Sequence, residues 1–368
     1  MDSDAEAVRS AAAALKSATH LLVGAGAGMS ADSGLRTYAE AMTTQPQAAA
    51  LHAGETVAPM TYHDLCQPSA LLQHHRAAAV EFWRESVCNY RTSVVHDGYN
   101  VLSRWCESRG AQNTCVYTSN VDGLFRRHAS LRANLVEIHG CVEEWMCTAS
   151  LGFARDADGA LRDRGGLYAA HNEAVRAAAT RLGGSTAEIS PWSSACEVLR
   201  VTPPWARPPP YDDAAAGNAI WRTAEPACPA CALPLRPCVV MFNDTDEVLL
   251  RRQARVAEAY QEWEEAMEAS VAATNEASLV VLEIGCGLRV PSVRRECEDV
   301  VRDVLARGGR AVLIRINPQA GSAEAEEGVG MMLLADGAPP PLGREHVITI
   351  RDGARHALCR IDEEISRL

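Results

Sequence analysis

The sequence lacks three features that would each assign it to a well-defined class of protein. None of its apolar runs reaches the roughly 18 residues that a helix needs to cross a bilayer, so no transmembrane helix is expected. Basic residues are in the minority, with 35 Lys and Arg against 47 Asp and Glu. The resulting net charge of −12 argues against a protein whose main partner is nucleic acid or an anionic membrane surface. The start, Met1–Arg9, carries three acidic residues and no apolar segment, and is unlike a signal peptide.

What the sequence does contain is enough apolar material for a large core. Apolar residues make up 47% of the 368 positions, which excludes wholesale disorder. The length suits two or three domains of about 150 residues, or one large domain with an insertion. Thirteen cysteines without a secretory signal indicate reduced thiols, some of which could be metal ligands. An intracellular protein, cytoplasmic or nuclear, is therefore expected.

Short apolar segments alternate with helical patterns along most of the chain. The segments predicted to be strands are His20–Val23, Thr114–Thr118, Asn134–Ile138, Ser278–Ile284, Arg310–Ile316 and His346–Ile350. Helical patterns separate several of them, as at Val94–Ser108, Leu249–Glu276 and Pro291–Ala306. This alternation predicts an α/β fold in which a parallel sheet has helices on both faces. Residues 151–226 do not follow the alternation, which predicts a long insertion there that is functional, disordered or a small domain of its own.

A glycine-rich turn, Gly24–Gly28, follows the first predicted strand and leads into a helix. Glycines in this position let the backbone approach a dinucleotide pyrophosphate at the N-terminus of the helix. The spacing is not the G-x-G-x-x-G of dehydrogenases, and Pro46–Leu51 has no acidic residue where that fold would place one. The turn therefore fits either a dinucleotide site or a tight structural connection.

Polar side chains follow the next two predicted strands at the points where they end. Asn120 and Asp122 come after one strand, and His139 follows the other. The carboxyl ends of parallel strands meet at one edge of a sheet, where such folds bind ligands. We therefore expect these three side chains to converge with the glycine turn.

In this order, the motifs resemble those of the sirtuins, a family of NAD-dependent protein deacylases. The G-A-G-x-S-x-x-S-G, N-x-D-G-L and H-G blocks of the family match Gly26–Gly34, Asn120–Leu124 and His139-Gly140. The R-P-x-V-V-x-F segment matches Arg236–Phe242, and the I-N pair matches Ile316-Asn317. The resemblance extends from about Leu21 to Asn317.

The resemblance implies a fold, a reaction and a set of partners. It implies a Rossmann-like NAD-binding domain from residues 1–40, 94–140 and 236–368. A smaller domain would consist of a helical cofactor-loop part, residues 41–93, and a zinc-type module with the long insertion, residues 141–235. The implied activity is NAD-dependent removal of an acyl group from lysine, which releases nicotinamide and acyl-ADP-ribose. The partner would be an acylated-lysine protein or peptide.

The resemblance also assigns roles to individual residues. His139 corresponds to the general base, Asn120 to the amide that orders ribose and water, and Asp122 to the carboxylate that accepts from the nicotinamide carboxamide. The positions that correspond to cofactor-binding residues are Gly26, Ala27, Gly28, Ser30, Ser33, Gly34, Tyr38, Ser119, Asn120, Asp122, Gly285, Cys286, Gly287 and Asn317. The segment that corresponds to the peptide-pairing strand consists of Val239, Val240, Met241 and Phe242. Within it, Val240 and Phe242 would wall an apolar tunnel for the lysine stem.

Several positions depart from the family pattern. Ala39 stands where the family has an arginine that helps to position NAD, Ser119 replaces a glutamine, and Cys286-Gly287 replaces a Thr-Ser pair. These changes leave three functions open. The first is deacylation, and the second is ADP-ribosyl transfer or NAD hydrolysis on the same scaffold. The third is that of a catalytically weak NAD-binding regulatory module.

The zinc site implied by the family is matched in part. Cys147 corresponds to its first ligand, and Cys228 and Cys231 form a C-x-x-C pair. Ser150 occupies the position of the remaining cysteine, so the fourth ligand is left open.

Overall fold

The computed structural model describes residues 3–37, 60–72, 76–148, 235–320 and 342–368, with the short pieces 40–41, 151, 153–155 and 161–163. The strands in this part are β1 (His20–Ala25), β2 (Thr114–Thr118), β3 (Leu135–Glu137), β4 (Gly140–Cys147), β5 (Phe153–Arg155), β6 (Leu161–Asp163), β7 (Leu235–Val239), β8 (Leu279–Ile284), β9 (Ala311–Ile316) and β10 (Val347–Ile350). The α-helices are α1 (Ser3–Ser17), α2 (Gly28–Ala31), α3 (Tyr62–Leu65), α4 (Pro68–Leu72), α5 (Arg76–Thr92), α6 (Asp97–Arg109), α7 (Ala129–Arg132), α8 (Glu247–Ala273), α9 (Ser292–Ala306) and α10 (Ala354–Arg367).

The first of two compact units comprises residues 1–39, 93–138 and 256–368. Its sheet has six parallel strands in the order β3-β2-β1-β8-β9-β10. The strand order reverses direction between β1 and β8, as in a Rossmann-like doubly wound sheet. The α/β fold predicted from the alternation of strands and helices is confirmed.

Strands of this sheet are apolar on both faces because helices cover both. The paired residues Leu22, Cys115, Val281 and Leu313 lie in one row of the sheet and belong to a core with α8 and α9. Alternate residues, such as Leu21, point to the opposite face. There α1, α6 and α10 pack together. A continuous apolar strand is therefore the expected pattern, in contrast to the alternation of a half-exposed sheet.

The prediction for α8 is also confirmed. Tyr260 and Met267 are buried in the core, and Val256 and Trp263 pack against it, so these residues at spacings of three and four form the inward face. None of the described helices combines the length and apolar character that crossing a lipid bilayer requires.

The second compact unit comprises residues 40–92 and 139–255. Its described elements include α3, α4 and α5, the antiparallel pair β4–β7 and the antiparallel pair β5–β6. The pairing of β4 with β7 is interrupted between Cys141 and Trp145, where the register shifts. This irregularity, together with the charged pair Glu143-Glu144, hides β4 from a search for regular alternation in the sequence.

A cluster of carboxylates joins α8 to α9 in the first unit. Carboxylate oxygens of Glu264, Glu268 and Asp303 lie within 4.8 Å of one another, and Arg307 forms an ion pair with Glu268 at 2.8 Å. Burial, together with the neighbouring Glu296 and Glu268, raises the pKa of Glu264 to about 8. Ionised Glu264 therefore opposes folding, because the native state retains a proton that the unfolded state releases near pH 4.5.

We predict that the free energy of unfolding falls as the pH rises from about 4.5 through about 8, and that Glu264→Gln removes part of this fall. At pH 9 the variant should be more stable than the parent by about 1–2 kcal/mol, after allowance for solvent screening. Urea unfolding at pH 5 and pH 9 measures the effect. The control is Glu258→Gln, at an exposed position of α8 whose charge is not among those that raise the pKa of Glu264. Equal effects of the two variants would contradict the prediction.

Candidate functional site

The glycine turn of the first unit lies at the carboxyl end of β1, where the strand order reverses. Its glycines pack against the backbone that follows β8. A Cβ atom on Gly26 would lie 2.7 Å from the carbonyl oxygen of Gly285, and one on Gly28 would lie 2.6 Å from the Gly285 Cα. Gly28 N donates to Gly285 O at 3.0 Å, and Gly285 has a φ of +61°. Glycine is therefore required at all three positions for the two turns to meet.

Asn120 and Asp122 join this turn as predicted from their position after β2. Asn120 Nδ2 donates to Gly26 O at 3.0 Å and to Ser30 Oγ at 3.2 Å. Ser30 Oγ donates to Asp122 Oδ2 at 2.6 Å, and Leu124 N donates to Asp122 Oδ1 at 2.9 Å. Ser30, Asn120 and Asp122 are all buried. We call Ser30, Asn120, Asp122 and their contacts with Gly26 and Leu124 the crest network.

The charge of Asp122 is set by two opposing effects. Burial raises the pKa of the carboxyl, whereas the hydrogen bonds from Ser30 and Leu124 and the positive charge of Arg127 lower it. The carboxylate is thus held in the protein interior chiefly by hydrogen-bond donors placed around it. Such a group can accept a further hydrogen bond from a ligand at little cost in reorganisation.

Some predicted cofactor positions have their side chains committed to the protein itself. Asn317 Nδ2 donates to Cys286 O at 3.0 Å, and its Oδ1 accepts from Gln319 N at 3.0 Å. Ser33 Oγ accepts from His96 N at 3.2 Å. The Cys286 side chain is buried, and burial raises the pKa of its thiol well above the ordinary value. These side chains therefore support the loops around the turn.

The other predicted cofactor positions contribute backbone or open space. Ala27 precedes α2, and Ser119 N donates to Ala25 O at 3.3 Å. A Cβ atom on Gly34 or Gly287 would meet no atom of the described residues within 4 Å, so both border open space in this part of the structure. Tyr38 lies outside the described residues.

In the second unit, His139 lies directly before β4, and its backbone is hydrogen-bonded to the predicted substrate segment. Val240 N donates to His139 O at 2.9 Å. Gly140 has a φ of +81°, and a Cβ atom there would overlap the carbonyl oxygen of Cys238. The glycine of the H-G pair is therefore required by the structure, because only glycine lets the chain after His139 approach β7 so closely.

The predicted substrate segment alternates between buried and half-buried side chains. Val239 and Met241 are buried, whereas Val240 and Phe242 are half-buried and present apolar surface. The Phe242 ring stacks on His63, with ring centroids 4.6 Å apart. Of the strand that the resemblance implies here, only Val239 belongs to β7, and Val240, Met241 and Phe242 follow its end.

The backbone donors of Val240, Met241 and Phe242 in this segment are already in use. Val240 N, Met241 N and Phe242 N donate to His139 O at 2.9 Å, Asp244 Oδ2 at 3.0 Å and Cys66 O at 2.9 Å, respectively. A peptide that pairs with this segment would therefore bind through its own N–H groups, which donate to protein carbonyls.

A buried ion cluster fixes the turn that follows the segment. Arg236 is fully buried and pairs with Asp244, while Nη1 lies 3.4 Å from Asp246 Oδ2. Nη2 donates to Val239 O at 2.9 Å, and Asp246 Oδ1 accepts from Val248 N at 3.1 Å at the start of α8. Arg236 belongs to the R-P-x-V-V-x-F motif in the sequence, but no sequence pattern predicted its contacts with the two aspartates.

The predicted zinc ligands are only partly described. Cys147 is buried at the end of β4. Cys228, Cys231 and Ser150 lie outside the described residues. Zinc binding therefore stays a prediction.

The chain is similar in sequence to a curated bacterial protein. Over 133 residues it is 32% identical to NAD-dependent protein deacetylase 1 of Geobacillus kaustophilus (strain HTA426). The match covers 36% of this chain and 48% of that protein, so the chain spans about half the length of this relative. No protein-family model matches the chain. The likeness supports a distant relationship to NAD-dependent deacetylases.

We predict that Gly140→Ala lowers the free energy of unfolding by about 3 kcal/mol, because the new Cβ atom meets backbone and the left-handed conformation is strained. Chemical denaturation of the purified protein measures the loss. Gly287→Ala is the matched control, since its Cβ atom enters open space and should change stability by less than about 0.5 kcal/mol. Similar stabilities for both variants would rule out the close approach of β4 and β7.

Proposed function

We propose that the chain is an NAD-dependent protein-lysine deacylase of the sirtuin type. The observation that carries the proposal is the crest network, which places a buried carboxylate and amide against a glycine turn where the strand order reverses. Ligands of doubly wound sheets bind outside the carboxyl ends of the strands at this point. The likeness to an NAD-dependent protein deacetylase supports NAD as that ligand.

The residues at the crest fit a dinucleotide. The glycine turn brings backbone to the surface of the sheet edge, and open space borders Gly34 and Gly287. Asp122 offers a carboxylate acceptor, and the remaining polar atom of the Asn120 side chain, Oδ1, is also an acceptor. NAD would supply the ribosyl group that receives the acyl oxygen, with nicotinamide as the leaving group.

Each residue of the crest has a proposed task. Asp122 accepts a hydrogen bond from the carboxamide of the nicotinamide and thereby fixes the orientation of that ring. Asn120 orders the ribose and a water molecule, and its amide is itself fixed by Gly26 O and Ser30 Oγ. Side chains that are already hydrogen-bonded need little reorganisation when the reaction develops charge.

In the second unit, His139 is proposed as the general base that takes a proton from a ribose hydroxyl. An imidazole suits this task because its unperturbed pKa of about 6.5 lies near the working pH. The hydrogen bond from Val240 N to His139 O ties this residue to the segment proposed to bind the acylated lysine. Val240 and Phe242 supply the half-buried apolar surface along which the lysine stem would lie.

Nicotinamide release tests the proposal. The purified chain is incubated with NAD and a pool of acetylated peptides, and free nicotinamide and deacetylated peptide are measured by mass spectrometry. The proposal predicts release that depends on the acetylated peptide. Release without peptide would indicate NAD hydrolysis, and ADP-ribose retained on protein would indicate ADP-ribosyl transfer. Either result, or no release at all, would contradict the proposed deacylase activity.

We predict that His139→Ala lowers kcat for deacylation by at least about 10²-fold, the usual contribution of a general base, while NAD still binds. Calorimetric titration with NAD and the peptide assay measure the two effects. His356→Ala, which removes an exposed imidazole on α10, is the control and should leave kcat unchanged. Turnover by His139→Ala close to that of the control would remove the assignment.

A further inference from the structure

Tyr99 lies directly behind the crest network, on α6. Its side chain is fully buried, with ring contacts to His96 and Phe125 at centroid distances of 4.9 Å each. Its hydroxyl lies 3.1 Å from Ser30 Oγ. The phenol is thus placed by packing, and its one polar atom meets the residue that donates to Asp122.

The direction of this hydrogen bond follows from counting protons. A serine hydroxyl has one proton and two lone pairs. The Ser30 proton goes to Asp122 Oδ2, at 2.6 Å, and one lone pair receives Asn120 Nδ2, at 3.2 Å. The remaining lone pair faces Tyr99, so the tyrosine donates. When Asp122 is ionised, each hydroxyl proton of Ser30 and Tyr99 therefore has an acceptor, and both lone pairs of Ser30 Oγ have a donor.

We propose that Tyr99 is a positioning residue: by donating to Ser30 it fixes the hydroxyl that Ser30 donates to Asp122, and so it favours the ionised carboxylate at the crest. This inference rests on the proposed function in assigning Asp122 to the NAD site. The role is absent from the sequence motifs, because Tyr99 lies outside them on α6, 69 residues from Ser30.

A proton added to Asp122 would disturb this arrangement. The protonated carboxyl would donate to Ser30, and Ser30 would turn its own proton toward Tyr99. The phenol would then have to accept, and its own proton would lose the acceptor that Ser30 provides among the described residues. Tyr99 therefore opposes the effect of burial, which raises the pKa of Asp122. Burial and the nearby Asp122 charge also raise the pKa of Tyr99 well above its ordinary value, so the phenol keeps its proton.

Replacing Tyr99 by Phe tests the role, because the ring and its packing are retained and only the hydroxyl is lost. In the ligand-free protein, the titration midpoint of the Asp122 carboxyl, followed by ¹³C NMR, should rise by about 0.5–1 pH unit. The acidic limb of the pH profile of kcat/KM for NAD should move up by a similar amount, so that kcat/KM falls by up to about 10-fold on that limb and changes little on the plateau above it. A merely structural role would lower stability without moving either pH value.

Tyr117→Phe is the matched control. Tyr117 lies on β2 with its ring 4.6 Å from that of Tyr260, outside the crest network. Its loss of a hydroxyl should shift neither the Asp122 titration nor the acidic limb. Equal titrations of Asp122 in the two variants would overturn the proposal.

Double variants test whether Tyr99 acts through Ser30. The effects of Ser30→Ala and Tyr99→Phe on the Asp122 titration should not add, so that the double variant titrates like Ser30→Ala alone. Additive shifts would contradict the proposed route.

In the unaltered protein, the Tyr99 hydroxyl proton should change its NMR shift through the Asp122 titration, and an unchanged shift would count against the proposal even if a variant did not fold. The NMR outcomes need no NAD, so failure of the wild type to bind NAD would instead refute the proposed function.

Discussion

The carboxylate of Asp122 is held inside the first unit by donors, and the surrounding residues are arranged to supply them. Ser30 comes from α2, the short helix after β1, and Leu124 follows β2. Asn120 links the same serine to Gly26 O. A buried carboxylate is costly unless its oxygens are hydrogen-bonded. The positions of β1 and β2, side by side and parallel, bring these donors to one place. On the other side of β1, the glycines at 26, 28 and 285 let the turns after β1 and β8 pack together, since larger residues would push these two turns apart.

In the second unit, a buried cation likewise needs hydrogen-bonding and charged partners. Arg236 is enclosed by Asp244, Asp246 and Val239 O. Asp244 also accepts from the backbone of Met241 in the proposed substrate segment, and Asp246 accepts from Val248 at the start of α8. Removing one partner of a buried ion cluster is far more damaging than its net contribution suggests, because a charge is left without compensation. Both units therefore use buried charges to fix loops, and the loops carry the residues to which we assign chemistry.

The sequence predicted the sheet well because its strands are covered on both faces and read as short apolar runs between helices. It also predicted the meeting of Asn120 and Asp122 with the glycine turn, since residues that follow neighbouring parallel strands lie at the same edge. Strand β4 escaped prediction because its register shift breaks the alternation. Tyr99 escaped because its contact with Ser30 depends on how α6 packs, which no local pattern records. The internal hydrogen bonds of Asn317 likewise required the folded chain.

We propose that NAD binds at the crest network with its nicotinamide against Asp122. A crystal structure of the protein at saturating NAD tests this binding mode most directly. We expect a dinucleotide along the carboxyl ends of β1 and β8, with the carboxamide of the nicotinamide within hydrogen-bonding distance of Asp122. A crest without bound NAD, or a dinucleotide bound elsewhere with the crest network unchanged, would contradict it.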